Sequence, residues 1–290
     1  MSLAFKVTAR QFVPPIVLDA VRPLRQRRAQ RLFARGKYHP WGYPLYRRHA
    51  IEMTFANPDL MARFQRGEAL PRHYGQDLDE RCIEYPWLLA HLTSAPELLL
   101  DAGSTLNHDY VLDHPALRAK TLHILTLAPE DECYWQRGIS YIYGDLRAAP
   151  LRDATYDTIV CASVLEHVGC DNRVYTGATS HSDDAPTDFL RVMRVFDQLL
   201  KPGGTLLLTV PFGHYGHHGW LQQFDRELVT RAVHAFAHAR DVHETYYRYG
   251  VQGWTRATAD ECGVCVYGQG PARTAGAVAC LRLVKEGAGE

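Results

Sequence analysis

Four histidines stand where their spacing to other polar groups suits acid–base chemistry. His167 comes four residues after Ser163, and His214, His217 and His218 fall together in the run PFGHYGHHGW. Histidine is the side chain whose charge ordinarily changes near neutral pH, so it is the first choice for a general base. We take His167 as the leading candidate base and His214 as the second. The pattern equally allows His167 to cap or pack beneath a helix.

The same residue types could bind a metal, but their arrangement argues against it. The three histidines of PFGHYGHHGW have no cysteine or acid within that segment to complete a zinc site, and Cys262-Gly-Val-Cys265 has no second CxxC pair. The seven cysteines are odd in number and scattered, which predicts free thiols in a reducing compartment. We therefore expect no metal and a cytoplasmic protein.

Five residues together offer aromatic faces and hydrogen-bond donors, and they are candidates for binding a small-molecule substrate. They are His217, His218, Trp220, Tyr247 and Arg248. Aromatic faces beside an arginine suit a sugar ring that carries a phosphate or carboxylate. The segment around Tyr247 and Arg248 is equally well explained as edge-strand packing.

Short apolar runs that alternate with amphipathic stretches must position these residues. The predicted strands are Leu98–Asp101, Leu122–Leu127, Ser140–Tyr143, Thr158–Ala162 and Thr205–Val210, followed by a helix Phe224–Ala237 and strands Val242–Tyr247 and Val278–Val284. The pattern predicts an α/β fold with a doubly wound, Rossmann-like, mostly parallel sheet. Ligands of such sheets bind beyond the carboxyl ends of the strands. The polar connection from Gly169 to Thr187 is long for a turn and suggests a functional lid.

The segments that follow the strands, taken in order, carry a family resemblance. They are LLLDAGSTLN, ILTLAPE, YGDL, LRDATYDTIVCASVLEHV and LLKPGGTLLLTVP, within residues 95–215. Their order and spacing resemble the class I methyltransferases that use S-adenosylmethionine, especially the small-molecule group with the ubiquinone and sugar methyltransferases, the methyltransferase type 11 group. The resemblance implies a seven-stranded sheet whose last strand is antiparallel.

The resemblance also implies where S-adenosylmethionine binds. By position, the cofactor-binding residues would be Asp101, Gly103, Ser104, Asn107, Thr126, Leu127, Asp145, Leu146 and Ser163. Asp101 and Gly103 would hold the methionine end, and Asp145 the adenine. Thr105 and Asn107 stand where further glycines are usual, and Thr126 stands where the family has the acid that binds the ribose hydroxyls. Ribose binding would then be weaker, come from another group, or rely on Thr126 and the backbone.

The formal net charge of zero is an average of two unlike parts. The first 48 residues hold eleven Lys and Arg and a single Asp, a formal charge of +10. Apolar residues from Phe12 to Leu24 recur at helical spacing before an arginine cluster. Such a segment could lie on an anionic membrane, or dock on the domain or on a second subunit. Nucleic acid is not an expected partner. No apolar run is long enough to span a bilayer.

These observations predict three regions and two functions. The regions are a basic, mainly helical extension (1–90), a methyltransferase domain (91–285) and a flexible tail (286–290). The first function is methyl transfer to an oxygen or nitrogen of a small acceptor, such as a nucleotide- or lipid-linked sugar of bacterial surface polysaccharide or glycolipid synthesis. The alternative is a scaffold or binding protein that has lost its cofactor. A dinucleotide oxidoreductase is disfavoured, because Thr126 stands where its fingerprint needs an acid.

Overall fold

The computed structural model describes residues 42–177 and 183–287. A boundary between Met53 and Thr54 divides the chain into two units, and the second unit contains every strand of the sheet. The predicted N-terminal helix and its arginine cluster lie outside the described residues, as does the middle of the predicted lid. No helix of the described ranges is long and apolar enough to cross a membrane.

Helices and strands alternate as the sequence predicts. The helices are α1 (Tyr43–Phe55), α2 (Pro58–Arg66), α3 (Arg81–His91), α4 (Asp109–Leu112), α5 (Pro115–Arg118), α6 (Arg173–Thr176), α7 (Phe189–Leu199), α8 (Arg226–Ala235) and α9 (Ala259–Cys262). The strands are β1 (Leu98–Ala102), β2 (Thr121–Thr126), β3 (Ser140–Tyr143), β4 (Tyr156–Ala162), β5 (Leu200–Pro211), β6 (Gly216–His217), β7 (Gln222–Gln223), β8 (Ala239–Gly250), β9 (Gly253–Ala257) and β10 (Ala277–Lys285).

The main sheet has the strand order β3-β2-β1-β4-β5-β10-β8-β9. Strands β1 to β5 pair in parallel, and β10 is antiparallel to both β5 and β8. The predicted doubly wound sheet and its antiparallel last strand are therefore confirmed. The sheet has one strand more than predicted, because Gly253–Ala257 folds back as a hairpin on β8. The order reverses between β1 and β4, which is where such a sheet opens a ligand crevice.

Burial on both faces explains why the central strands read as continuous apolar runs. Leu99 and Leu100 of β1 and Ile159 and Val160 of β4 are fully buried. Helix α7 covers one face with apolar positions that recur every three or four residues and include Phe196, which is also fully buried. A rigid sheet of this kind holds the loops at its carboxyl edge in register, so that loops distant in sequence lie side by side.

Two predicted elements differ from the structure at their ends. The helix predicted for Phe224–Ala237 begins at Arg226, because the Asp225 side chain accepts a hydrogen bond from the Leu228 backbone N–H and caps it. His167 does not lie at the start of a helix. It ends a 3-10 turn, Leu165–His167, and the next helix starts only at Arg173.

Candidate functional site

The loop after β1 is closed by the carboxylate of Asp101. Its two oxygens accept hydrogen bonds from the backbone N–H groups of Thr105 (3.1 Å) and Leu106 (2.8 Å). Asp101 is fully buried, and that burial raises the pKa of its carboxyl to about 7 despite the two hydrogen bonds. Asp101 therefore shapes the loop from beneath and carries a proton that is easily displaced near neutral pH.

Gly103 and Ser104 form the tip of this loop. Gly103 has φ +110°, and a Cβ there would lie 2.3 Å from Cγ2 of Val164 on the neighbouring β4 loop, so only glycine fits. Ser104 also has a positive φ, +63°. Its Oγ is buried and has no hydrogen-bond partner among the described residues. A buried hydroxyl without a partner is a donor available to a bound ligand.

Asn107 takes the place of a glycine and ties the loop to its neighbours. Its amide nitrogen donates to the carbonyl oxygen of Glu132 (2.9 Å), and its carbonyl oxygen accepts from the Tyr141 hydroxyl (2.8 Å). The Thr105 hydroxyl donates to the carbonyl oxygen of Ala162 at the end of β4 (2.9 Å). The two side chains that depart from the glycine pattern thus hold the loop between β3 and β4.

The end of β2 presents no acid of its own. The Thr126 hydroxyl donates to the carbonyl oxygen of Ala128 (3.3 Å), and the Leu127 side chain, 45% exposed, forms an apolar surface beside it. The carboxylate of Glu130 is close enough that its charge helps to raise the pKa of Asp101, after burial as the main cause. Glu130 is not among the site residues predicted from the sequence, because it lies four residues past the expected position at Thr126.

Asp145 follows β3 and forms an ion pair with Arg147. The Arg147 guanidinium lies 2.6 Å from Asp145, 2.7 Å from Asp183 and 2.9 Å from Asp188. Burial acts to raise the pKa of Asp145, but the hydrogen bonds from Arg147 outweigh it and hold that pKa below its ordinary value. Arg147 therefore fastens the far end of the predicted lid segment to the β3 loop. Leu146 between them is buried.

A buried glutamate of α3 lies under the carboxyl ends of β4 and β5. One oxygen of Glu84 accepts from the hydroxyls of Ser163 (2.5 Å) and Thr209 (2.7 Å), and the other accepts from Arg81 (2.7 Å). Ser163 has a positive φ of +48°, which these contacts hold in place. Glu84 is not among the site residues predicted from the sequence, although a glutamate inside the apolar run CIEYPWLL is a detectable signal of a buried polar contact.

His167 lies beside this polar network. Its Nδ1 is 2.8 Å from the carbonyl oxygen of Trp220, so Nδ1 carries the hydrogen and Nε2 keeps its lone pair. Nε2 lies 3.9 Å from Oε1 of Glu166. Burial is the main cause that lowers the pKa of His167, and the charge of Arg81 adds to it. The imidazole is thus neutral at physiological pH and oriented to accept a proton.

Of the remaining predicted histidines, His217 and His218 contact neighbouring side chains, whereas the side chain of His214 is exposed. The His217 ring nitrogen Nε2 lies 3.7 Å from the Cys170 sulfur, and the His218 ring contacts Tyr267 with centroids 5.3 Å apart. The side chain of His214 is exposed, while its backbone N–H donates to the carbonyl oxygen of Cys265 (2.8 Å). Ring contacts through Trp220 and Tyr267 therefore link His218 to His167, whereas His214 makes no ring contact within the described residues.

Tyr247 and Arg248 lie on the β8–β9 hairpin. Tyr247 is fully buried, and its ring packs against Phe64 with centroids 5.8 Å apart. Its placement corrects the prediction that it contacts an acceptor, because the ring lies inside the core. Arg248 lies beside the thiol of Cys265.

The described residues contain no group of three or more His, Cys, Asp or Glu side chains that could hold a metal ion. All seven cysteines are free thiols. Cys262 is buried at the end of α9, where burial raises the pKa of its thiol to about 12. A thiol with such a pKa stays protonated and packs as an apolar group.

Comparison with known proteins adds a family match. Residues 120–208, from β2 to β5, match the family model described as a methyltransferase domain. No curated protein is significantly similar to this sequence.

Solved structures that resemble this fold include several methyltransferases. One is the 1,6-didemethyltoxoflavin-N1-methyltransferase of Burkholderia thailandensis, with 15% identity, coverage of 70% of this chain and 76% of that chain, and a TM-score of 0.43. Another is a possible histamine N-methyltransferase of Thermotoga maritima, with 12% identity, 82% and 99% coverage and a TM-score of 0.44. A third is the N-methyltransferase NodS of Bradyrhizobium japonicum, with 15% identity, 82% and 98% coverage and a TM-score of 0.42.

Proposed function

Because this chain carries a class I S-adenosylmethionine-dependent methyltransferase domain, we propose that it transfers a methyl group to an oxygen or nitrogen of a small, sugar-containing acceptor. The observation that carries the proposal is the position of His167. A neutral imidazole with a free Nε2 stands directly after β4, beside the switch in strand order. Methyl transfer needs such a base when the acceptor atom loses a proton.

The loop after β1 fits the cofactor that this activity requires. Gly103 keeps a side chain out of the crevice, and the Ser104 hydroxyl is buried without a partner. Leu127 offers an apolar face, and Asp145 keeps its charge while it is paired with Arg147. When bound, S-adenosylmethionine supplies a methyl group on a positively charged sulfur. We propose that Glu130 takes the place of the missing ribose-binding acid.

In the proposed mechanism His167 accepts the proton from the acceptor atom at Nε2. The Trp220 carbonyl holds the Nδ1–H tautomer, and the Glu166 carboxyl, whose pKa is raised by burial, lies 3.9 Å from Nε2. Trp220 and His218 provide faces against which an acceptor ring can stack. His214, on the exposed loop, is the alternative base.

The competing function is a scaffold that has lost its cofactor. Asn107 favours it, because its side chain fills a position that is glycine in the family and already uses both amide atoms. Calorimetry with S-adenosylhomocysteine separates the two functions. Binding at micromolar to low millimolar concentration supports the enzyme, and absence of binding at 10 millimolar would leave the scaffold as the better account.

We also propose that the basic first 48 residues bring the domain to an anionic membrane surface, where a lipid-linked acceptor would be held. Eleven basic residues against one acid support this proposal. Cosedimentation with vesicles of phosphatidylcholine alone or with phosphatidylserine tests it. Binding should need the anionic lipid, weaken with salt and be lost when Arg25, Arg27, Arg28 and Arg31 are changed to glutamate. Binding that is indifferent to salt and to these changes would contradict it.

A further inference from the structure

A group of aromatic rings surrounds His167 at the end of β4. The ring of His167 contacts Tyr175 and Trp220, with centroids 5.4 and 5.3 Å away. Trp220 in turn contacts Tyr267 at 6.0 Å, and Tyr267 contacts His218 at 5.3 Å. Tyr175 is 51% exposed and Trp220 is 39% exposed. We call these five residues the ring cluster. Its exposed members are open to a ligand.

Two buried carboxyl groups lie beside the ring cluster without full hydrogen bonding. Glu166 is 2% exposed, and its Oε2 has no hydrogen-bond partner among the described residues. Its Oε1 lies 3.9 Å from Nε2 of His167, directly beside the ring cluster. Oε2 of Glu80 is likewise buried and unpartnered within the described ranges. A buried carboxyl oxygen without a hydrogen-bond partner is unfavourable unless a ligand supplies the missing hydrogen bond.

Among the described residues, the arginine whose charge acts on both carboxyl groups is Arg81, and it is already paired with a third carboxyl group. Arg81 pairs with Glu84 at 2.7 Å, and Glu84 uses its second oxygen for Ser163 and Thr209. The hydrogen bond of Arg81 is therefore not available to Glu80 or Glu166, and burial raises the pKa of both carboxyl groups, so each needs a nearby positive charge to stay ionised. An additional positive charge is what this part of the described chain lacks.

The carboxyl groups and the rings are near enough to interact. Burial is the first cause that raises the pKa of the Tyr267 hydroxyl, and the charges of Glu80 and Glu166 follow. The charge of Glu166 acts in the same way on Tyr175, again after burial. Glu166 thus lies near two rings of the cluster, Tyr175 and Tyr267, which come from separate segments of the chain.

We infer that the acceptor of the proposed methyl transfer is an amine that arrives as a positively charged ammonium group and enters between the ring cluster and the Glu80 and Glu166 carboxyl groups. This inference rests on the proposed function and narrows it to nitrogen. The negative faces of Trp220 and Tyr267 attract a cation, and the carboxyl groups complete its hydrogen bonds. A phosphate or carboxylate on the acceptor would be repelled here and must face solvent.

The reaction balances without a further reagent. The ammonium loses a proton to Nε2 of His167, which leaves a neutral amine with a lone pair. That lone pair forms a bond to the methyl carbon while the carbon–sulfur bond breaks, and its electron pair remains on sulfur. The products are a methylated ammonium, S-adenosylhomocysteine and an imidazolium, which returns its proton to water. The acceptor nitrogen is positively charged before and after the step, so the same carboxyl groups suit substrate and product.

The first test uses two probes of similar shape and different charge. Tetramethylammonium is a cation without an N–H bond, and tert-butanol is neutral. With S-adenosylhomocysteine bound, NMR titration of the full chain should give tetramethylammonium an affinity at least about tenfold higher than that of tert-butanol. Equal affinities would overturn the inference while cofactor binding still supports the proposed function. Failure of S-adenosylhomocysteine itself to bind would overturn the proposed function and the inference with it.

Variants of Trp220 and Glu166 test whether tetramethylammonium binds between the ring cluster and the carboxyl groups. Trp220→Leu should weaken the binding of tetramethylammonium about three- to thirtyfold. Trp220→Phe should weaken that binding less, because phenylalanine keeps an aromatic face. Both keep the backbone carbonyl that orients His167. Glu166→Gln should also lower the affinity for the cation and leave the affinity for tert-butanol unchanged. Glu227→Gln, an exposed glutamate on α8, is the matched control and should change neither. Equal losses for both probes would indicate a merely structural role and contradict the inference.

Turnover separates the possible sources of the amine. With S-adenosylmethionine as donor, glucosamine represents an amino sugar, ethanolamine a simple amine, and glucose and N-acetylglucosamine their uncharged counterparts. Methylation of glucosamine alone identifies an amino sugar, and methylation of ethanolamine as well identifies the amine as the feature that is recognised. Methylation of glucose or N-acetylglucosamine at an equal or higher rate would overturn the inference.

Discussion

The Nδ1 atom of His167 lies 2.8 Å from the carbonyl oxygen of Trp220, a residue 53 positions later in the chain. This contact decides which nitrogen of the imidazole is free, and the ring contact between the two residues fixes the plane of the imidazole. A base from the loop after β4 is therefore oriented by the turn between β6 and β7.

Replacing His167 with alanine should lower turnover by about 10²- to 10⁴-fold, because the acceptor would lose its general base. The affinity for S-adenosylhomocysteine should change little. Because burial lowers the pKa of His167, wild-type kcat should be level at neutral pH and fall only below the ordinary histidine pKa of about 6.5, as the imidazole gains a proton. Steady-state kinetics across pH, with calorimetry for the cofactor, checks both. His234→Ala, an exposed histidine on α8, serves as the control, and unchanged turnover in His167→Ala would transfer the role to His214.

Replacing Gly103 with alanine should abolish cofactor binding and reduce stability. The new Cβ would lie 2.3 Å from Val164 in a backbone conformation of φ +110°, so strain and overpacking together should destabilise the fold by roughly 2–4 kcal/mol. Gly203→Ala is the matched control, since Gly203 has φ +78° and no atom within 4 Å of an added Cβ. Chemical denaturation and calorimetry measure the two effects. Similar losses in both variants would show that the contact with Val164 does not matter.

The affinity for S-adenosylmethionine should rise with pH through about pH 7. Burial raises the pKa of Asp101 to about 7, and a positively charged ligand favours the ionised carboxylate. Below that pKa, binding must release a proton, so the affinity should increase by up to about tenfold per pH unit and level off above it. Calorimetry in buffers of different ionisation enthalpy counts the protons released.

The pKa of Glu80 is also raised to about 7, chiefly by burial, so variants must separate the two groups. Asp101→Asn should remove the pH dependence of cofactor affinity, and Glu80→Gln should retain it. The reverse pattern would assign the released proton to Glu80 and contradict the role of Asp101.

Replacing Arg147 with glutamine should lower stability by roughly 1–2 kcal/mol at pH 7, a figure already reduced for solvent screening of three partly exposed carboxylates. The pKa of Asp145 is held low in the folded state, so this stabilisation is present at neutral pH and is lost as pH falls below about 4. Denaturation at pH 7 and pH 3 should show the difference between variant and wild type shrink.

The control for that comparison is Arg137→Gln, which removes a single ion pair to the exposed Asp113. It should change stability by no more than about 0.5 kcal/mol at either pH. If Arg137→Gln and Arg147→Gln were equally destabilising, the three-carboxylate arrangement would contribute nothing beyond an ordinary surface pair.

The amino-acid sequence by itself determined the sheet. Strands buried on both faces must be apolar throughout, so β1 to β5 and β10 are visible as short apolar runs. The order of the segments after those strands was enough to predict that Asp101, Thr126, Asp145 and Ser163 lie along one edge, because parallel strands end together. The hairpin strand β9 was not visible, since five residues with glycine at one end carry little pattern.

Tertiary structure decided which polar groups face one another. Glu84 stands in an apolar helix, and only its packing under the sheet brings it to Ser163 and Thr209. Tyr247 and Trp220 are both aromatic residues near polar neighbours, yet one is fully buried and the other is 39% exposed. Such differences depend on contacts between residues far apart in the chain. Local sequence pattern encodes which residues turn inward along an element, whereas the partners that they meet there are set by how the elements pack.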